Sequence, residues 1–120
     1  GQVTAESPVL VTTNFSLSYF SVEGEVEASR VPAYILAVET EGTSVLTAWA
    51  SDKFNAETIA KAVKNAEVEQ KVSHRTLVIP GLVAVLSAGL EDESGWTVQV
   101  GPKEASGIPG FLKKQWKARP

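Results

Sequence analysis

Four short stretches of this chain carry the groups best suited to holding a ligand, and almost none of those groups titrates. They are Thr13-Asn14-Phe15-Ser16 with Thr12 just before it, Thr40-Glu41-Gly42-Thr43-Ser44, Pro80-Gly81, and residues 101–108, which include Pro102, Lys103, Glu104, Ala105, Ser106 and Gly107. Hydroxyls, glycines and prolines expose backbone N–H and C=O groups and leave flat apolar patches between them. Such a surface suits a large ligand carrying many amides better than a reaction that needs an acid and a base. Each stretch alone also reads as an ordinary turn, because turns require the same residue types. All four gathered at one edge, small and without catalytic groups, point to a cofactor cradle.

The usual catalytic patterns are missing. There is no G-x-S-x-G elbow and no G-x-x-x-x-G-K-[ST] loop, and the glycines of residues 101–110 lack the G-x-G-x-x-G spacing. The chain has no Cys, no Met and one His, His74, so it brings no thiol, disulfide, iron-sulfur ligand or paired imidazoles. His74 precedes its strand, which puts it at the sheet edge opposite the four loops. Glu91 and Glu93 fall at the wrong end of a helix and read as a solvated face. Lys113, Lys114, Lys117 and Arg119 form the one basic cluster, which offsets a helix dipole at its C-terminus or serves as a docking patch for an acidic partner. With a net charge of −3 the chain lacks a nucleic-acid footprint. No window approaches the ~20 apolar residues of a membrane span, so the expected setting is cytoplasmic, with no membrane and no nucleic acid among the partners.

The elements that must position these loops alternate in type. At 120 residues the chain is the size of one domain, and its 43% hydrophobic and 21% charged content excludes disordered and fibrous classes. Residues 1–7 read as a linker or expression-boundary remnant and 8–120 as the domain. Residues 8–13 are short, apolar and Val/Thr-rich, hence a central strand. Residues 16–29 carry both helical and alternating patterns, and a parallel crossover favours the helix despite Gly24. Residues 33–39 form a second strand; residues 45–50 alternate, which favours a short antiparallel hairpin strand over a helix from Ser44. Asn55 caps a helix whose apolar face is Ile59, Ala60 and Val63. Strand 76–79, helix 82–90 broken at 92–95, a last central strand 96–100 and helix 109–116 complete the order. The sum is an α/β, Rossmann-like three-layer domain: a mainly parallel sheet with helices on both faces. Ligands of such folds lie at the carboxyl ends of the strands.

On these stretches the chain resembles the large (gamma) subunit of the corrinoid iron-sulfur protein of the CO dehydrogenase/acetyl-CoA synthase (Wood–Ljungdahl) pathway. The match is carried by residues 8–17 (PVLVTTNFSL), Glu39-Thr40-Glu41-Gly42 with Ser44 to Trp49, Val72 to Arg75 with Ile79-Pro80-Gly81, and residues 100–109 (VGPKEASGIP), in the family's order. The resemblance covers the family's C-terminal, Rossmann-like cobalamin-binding domain. The cysteine-rich cluster domain and the barrel domain have no counterpart here, which implies no iron-sulfur cluster in this fragment.

The resemblance implies a corrinoid held by Thr12, Thr13, Asn14, Phe15, Ser16, Gly42, Thr43, Ser44, Pro80, Gly81 and the Pro102 to Gly107 loop. Lys103 stands where Arg is expected, and Thr43 where a larger apolar residue is common. It further implies a methyl carrier, not an enzyme: Co(I) accepts a methyl from methyltetrahydrofolate or methyltetrahydropterin and passes it to acetyl-CoA synthase. The implied partners are the small subunit, a methyltransferase, acetyl-CoA synthase and a reductive activator. The chain lacks D-x-H-x-x-G, so the cobalt is expected to have no protein lower ligand, which eases reduction. The nucleotide-tail phosphate is expected at a helix start after Gly81 or Gly101. Two other readings fit the same loops: a flavodoxin-like module binding FMN or another nucleotide, and a ligand-free protein-interaction domain.

Overall fold

The computed structural model describes residues 2–120. Four strands, β1 (Val9–Thr13), β2 (Tyr34–Val38), β3 (Thr76–Ile79) and β4 (Thr97–Val100), form one sheet in the order β2-β1-β3-β4. Every pairing is parallel, with Val9 opposite Tyr34, Leu10 opposite Val78 and Thr76 opposite Thr97. β1 is buried along its whole length because it lies inside the sheet and is covered on both faces.

The alternation of side chains along β1 divides the core in two. Val9 and Val11 join Val38, Leu77 and Ile79 on one face, under α2 (Val45–Ala50), α3 (Ala56–Asn65), α4 (Val68–Lys71) and α5 (Ser87–Ser94). Leu10 and Val78 meet α1 (Ser16–Ser29) and α6 (Ile108–Lys114) on the other, through Val22, Val26, Ile108, Phe111 and Leu112. The three-layer expectation is met.

Local chemistry explains the helices. The parallel step from β1 to β2 needs a crossover, and α1 supplies it. Gly24 faces open space, so its cost is only its backbone freedom. α3 opens with a capping box: the Asn55 side chain accepts from the Thr58 amide at 2.9 Å, and Thr58 Oγ1 accepts from the Asn55 amide at 3.0 Å. Ile59 and Val63, four apart, are buried beneath it.

Several expectations need correction. Residues 45–50 are helix α2, not an antiparallel strand; Val45 and Ala48, three apart, are the buried pair, and the β-branched alternation there has no strand to pair with. β4 is an edge strand, not a central one, and its residues are half-buried or exposed. The segment after Pro80 is two pieces, a 3₁₀ turn (Gly81–Leu86) kinked at Val83 and then α5. α5 runs through Asp92 and stops at Gly95, whose φ of 76° ends it in the left-handed region that glycine favours. α6 ends at Lys114, with Lys113 and Lys114 in its last turn as the dipole argument expects.

Residues 4–7, expected as linker, are bonded to the body. The Ser73 amide donates to the Ala5 carbonyl at 2.7 Å. His74, buried, bridges the same segment: Nε2 donates to the Ser7 carbonyl at 2.7 Å while Nδ1 accepts from the Thr76 amide at 3.1 Å. The carbonyl partner can only accept, which assigns the ring proton to Nε2. Trp96 and Trp116 stand edge-on to the imidazole.

Candidate cofactor site

The connection from β1 runs to β2 on one side, while β3 lies on the other, so the strand order reverses between β1 and β3. At such a reversal the loops part and leave a crevice beyond the carboxyl ends. A hollow of about 380 Å³ occupies that place. Leu10, Val22, Val78, Ile108 and Phe111 line its apolar part, between the sheet and helices α1 and α6; Leu17, Leu46 and Leu82 line it at the helix starts. Its polar lining comes from Thr12, Ser18, Ser21 and Ser44, with Lys103 and Glu104 as the titrating pair, both exposed.

Of the residues expected at the site, Thr12, Ser44, Pro80, Pro102, Glu104 and Ala105 line the hollow. Thr13, Asn14, Phe15, Ser16, Gly42, Thr43, Gly81, Ser106 and Gly107 do not line it. Most of these build its frame. Thr13 is fully buried, and its Oγ1 accepts from the Phe15 amide at 3.4 Å. Thr43 Oγ1 donates to the Thr40 carbonyl at 2.7 Å, closing the turn after β2.

Asn14 staples two of the loops together. Its Oδ1 accepts from the Thr40 amide at 3.1 Å, the Thr40 hydroxyl at 3.1 Å and the Gly42 amide at 3.0 Å. Its Nδ2 donates to both Glu39 carboxylate oxygens, at 2.9 and 3.0 Å. The amide is thus engaged at both ends within the protein.

Gly81 and Gly107 join the other two loops. A Cβ on Gly81 would stand 2.6 Å from the Gly101 carbonyl oxygen and 2.9 Å from the Lys103 nitrogen, so only glycine permits the approach. A Cβ on Gly107 would meet the Pro102 Cβ at 2.7 Å. The Gly81 amide donates to the Pro102 carbonyl at 3.0 Å, and the Gly101 amide to the Ile79 carbonyl at 2.8 Å. Both glycine amides are therefore occupied within the protein, so a phosphate at either start would have to be met by the N–H groups that follow them.

What the sequence reading missed is apolar. Leu17, Leu46 and Leu82 line the hollow, and Phe20, Trp49 and Val85 lie three residues further along the same segments; all six are exposed, Leu17 by 71% and Val85 by 74%. Large apolar side chains left in water on three segments mark a surface meant to be covered. His74 lies before the amino end of β3, and Pro80 at the hollow lies past its carboxyl end, so the length of the strand separates them. Among the described residues no three His, Cys, Asp or Glu side chains gather as metal ligands, and no helix is long and apolar enough to cross a membrane.

Comparison with known proteins identifies the family. The family model described as CO dehydrogenase/acetyl-CoA synthase delta subunit matches residues 1–112. The corrinoid/iron-sulfur protein large subunit of Moorella thermoacetica is 55% identical over 113 residues, covering 94% of this chain and 25% of the relative. The acetyl-CoA decarbonylase/synthase complex subunit gamma of Methanothermobacter thermautotrophicus is 43% identical over 114 residues, covering 95% of this chain and 25% of the relative. That of Archaeoglobus fulgidus is 40% identical over 111 residues, at 92% and 24%. The chain thus spans about a quarter of the length of the curated relatives it matches. Although the family description carries the delta name, these relatives are large or gamma subunits. With its parallel sheet and the crevice at its strand reversal, the chain belongs to the CO dehydrogenase/acetyl-CoA synthase delta-subunit family, and within it to the stretch shared by the corrinoid protein's large subunit and the archaeal gamma subunits.

Proposed function

We propose that this chain binds a corrinoid at the carboxyl edge of its sheet, as the cofactor-holding part of a methyl carrier. The observation that carries the reading is the hollow between β1 and β3, apolar in its depth, hydroxyl-bearing at its walls and bordered by exposed leucines. Its volume falls at the small end of ligand pockets, roughly 300–1,000 Å³. It suits one part of a large cofactor, with the macrocycle against the exposed rim of Leu17, Leu46 and Leu82. The relative in Moorella thermoacetica is named for a corrinoid, which supports the same ligand.

The residues present fit such a group. Thr12, Ser18, Ser21 and Ser44 offer hydroxyls to the amides of the corrin periphery, and the Pro102 to Ala105 segment offers backbone groups and small side chains. Asn14, Gly42, Thr43, Gly81 and Gly107 act by holding the loops in register, while Thr13, Phe15, Ser16 and Ser106 lie on the same loops. When bound, the corrinoid would supply a cobalt centre able to carry a methyl group between a methylated folate or pterin and acetyl-CoA synthase. His74, engaged by Ser7 and Thr76 at the amino end of β3, is committed within the protein and would not be available to hold the group. The chain contributes binding, orientation and exclusion of water; the bond-making groups come from the corrinoid and from partners. Those partners are the small subunit, a methyltransferase, acetyl-CoA synthase and a reductive activator, in the cytoplasm.

Titration of the chain with cobalamin and, separately, with FMN tests the reading, each followed by its visible spectrum. Saturable change with cobalamin and none with FMN is expected; binding of FMN, or of neither, overturns it. The Co(II) resonance of the bound form should lack protein nitrogen coupling. Coupling that disappears in His74→Ala would overturn the assignment of His74.

A further inference from the structure

The two edges of the sheet are finished differently. In β4 the groups that bond β3 belong to Thr97, Gln99 and Gly101, since the Thr97 amide donates to the Arg75 carbonyl and the Gly101 amide to that of Ile79. The outward donors are therefore those of Trp96, Val98 and Val100. Side chains close the first two: Ser94 Oγ accepts from the Trp96 amide at 3.1 Å, and Glu91 Oε2 from the Val98 amide at 2.8 Å. A carboxylate laid along an edge repels an incoming strand.

β2 has no such closure. Its Tyr34 amide donates to the Pro8 carbonyl, and its Val38 carbonyl accepts from the Asn14 amide, so residues 34, 36 and 38 bond β1. The N–H and C=O of Ile35 and Ala37 face outward, and no backbone or side-chain hydrogen bond from the described residues outside the sheet meets them. From Val31 to Val38 the edge carries no charge. Ala37 is exposed and Ile35 half-buried.

We propose that two copies of this chain pair through β2, antiparallel about Leu36, joining their sheets across a twofold axis. The register follows from the free groups. Pairing Leu36 with its own counterpart sets Ile35 opposite Ala37 and Tyr34 opposite Val38, each large residue against a smaller one. Ile35 and Ala37 then exchange both of their outward hydrogen bonds, as an antiparallel pair requires. Charge selects the same direction: Arg30 lies before the strand, and Glu39 and Glu41 after it. Antiparallel pairing brings opposite signs together, whereas parallel pairing would set Glu39 beside Glu39 and Arg30 beside Arg30. Two five-residue strands bury less than the ~1,200 Å² of a stable interface, so the association is weak and concentration-dependent.

Sedimentation of the corrinoid-free chain tests this independently of the ligand. The weight-average mass should rise with concentration from 12.8 kDa toward twice that value; a mass that stays monomeric overturns the proposal. Ala37→Pro removes an outward N–H that has no partner among the described residues, and proline is tolerated at such edge positions. This variant should melt like the parent and stay monomeric, and an Ala37→Pro chain that still dimerises overturns the edge assignment. The register is read separately with Leu36→Cys, since the parent has no cysteine. Directly opposed non-hydrogen-bonded residues stand ~4.5 Å apart between Cα atoms, within disulfide reach. Under mild oxidant it should cross-link at least tenfold faster than a Lys64→Cys control on exposed α3. Equal rates overturn the register.

Discussion

Replacing Asn14 with alanine removes the group that ties the loop after β1 to the loop after β2, and its cost can be worked from the partners it strands. Of the three donors on Oδ1, the Gly42 amide is exposed and turns to water. The Thr40 hydroxyl has the Thr43 carbonyl at 3.0 Å as an alternative acceptor. The Thr40 amide has neither, because Thr40 is 1% exposed. An unpaired buried amide costs about 1–3 kcal/mol. The Nδ2 contacts to Glu39 are exposed, and water replaces them at little cost. A loss of about 2 kcal/mol lowers the melting temperature of a domain this size by about 8 °C.

Thermal unfolding by circular dichroism gives the total, and hydrogen exchange at Thr40 gives its location. The Thr40 amide should lose protection while Leu10 and Val78 in the sheet keep theirs. A melting point within about 2 °C of the parent, with Thr40 still protected, would refute the stapling role. Asn14→Asp provides the control. It keeps an acceptor for Thr40 and Gly42, so the Thr40 amide should retain its exchange protection in this variant.

Gly81→Ala drives a Cβ into the Gly101 carbonyl and the Lys103 nitrogen; it should cost about 1–3 kcal/mol and weaken cobalamin binding, read by melting and by titration. Leu17→Lys alters a side chain that is 71% exposed, so stability should hold while cobalamin affinity falls; unchanged affinity would remove Leu17 from the ligand surface. Asn55→Ala breaks the capping box of α3 and should cost about 1 kcal/mol, leaving cobalamin titration unaltered because α3 does not line the hollow.

The fold was legible where a residue's type had one structural use. β1 shows itself as Val-Leu-Val-Thr-Thr, apolar toward both faces, because a strand inside a parallel sheet touches two layers. Asn55 and Thr58 announce α3 through a cap that only a helix start needs. Residues 45–50 were misread because Val, Thr and Trp favour strands locally, and burial of Val45 and Ala48 against the core outweighed that preference. The edge place of β4 is not legible in residues 96–100, because strand order is set by pairing between distant segments, which no local pattern records.

The site was legible as loops, not as contacts, and the reason is physical. A glycine or asparagine at a loop tip serves close approach equally well whether the neighbour is a ligand or another loop. Gly81 meets the backbone of residues 101–103, Gly107 meets Pro102, and Asn14 meets Thr40 and Gly42, so the approach each serves is internal. The apolar rim left a different trace. On α1, Val22 and Val26 face the core, and at 3.6 residues per turn Leu17 and Phe20 fall on the opposite side. A helix with a core face already filled has no folding use for two large apolar residues there. That mismatch of phase, present in the sequence, marks the surface to be covered more directly than the hydroxyl-rich loops do. If Leu17→Lys and Phe20→Lys both leave cobalamin binding intact while the fold holds, the covering partner is something other than the corrinoid.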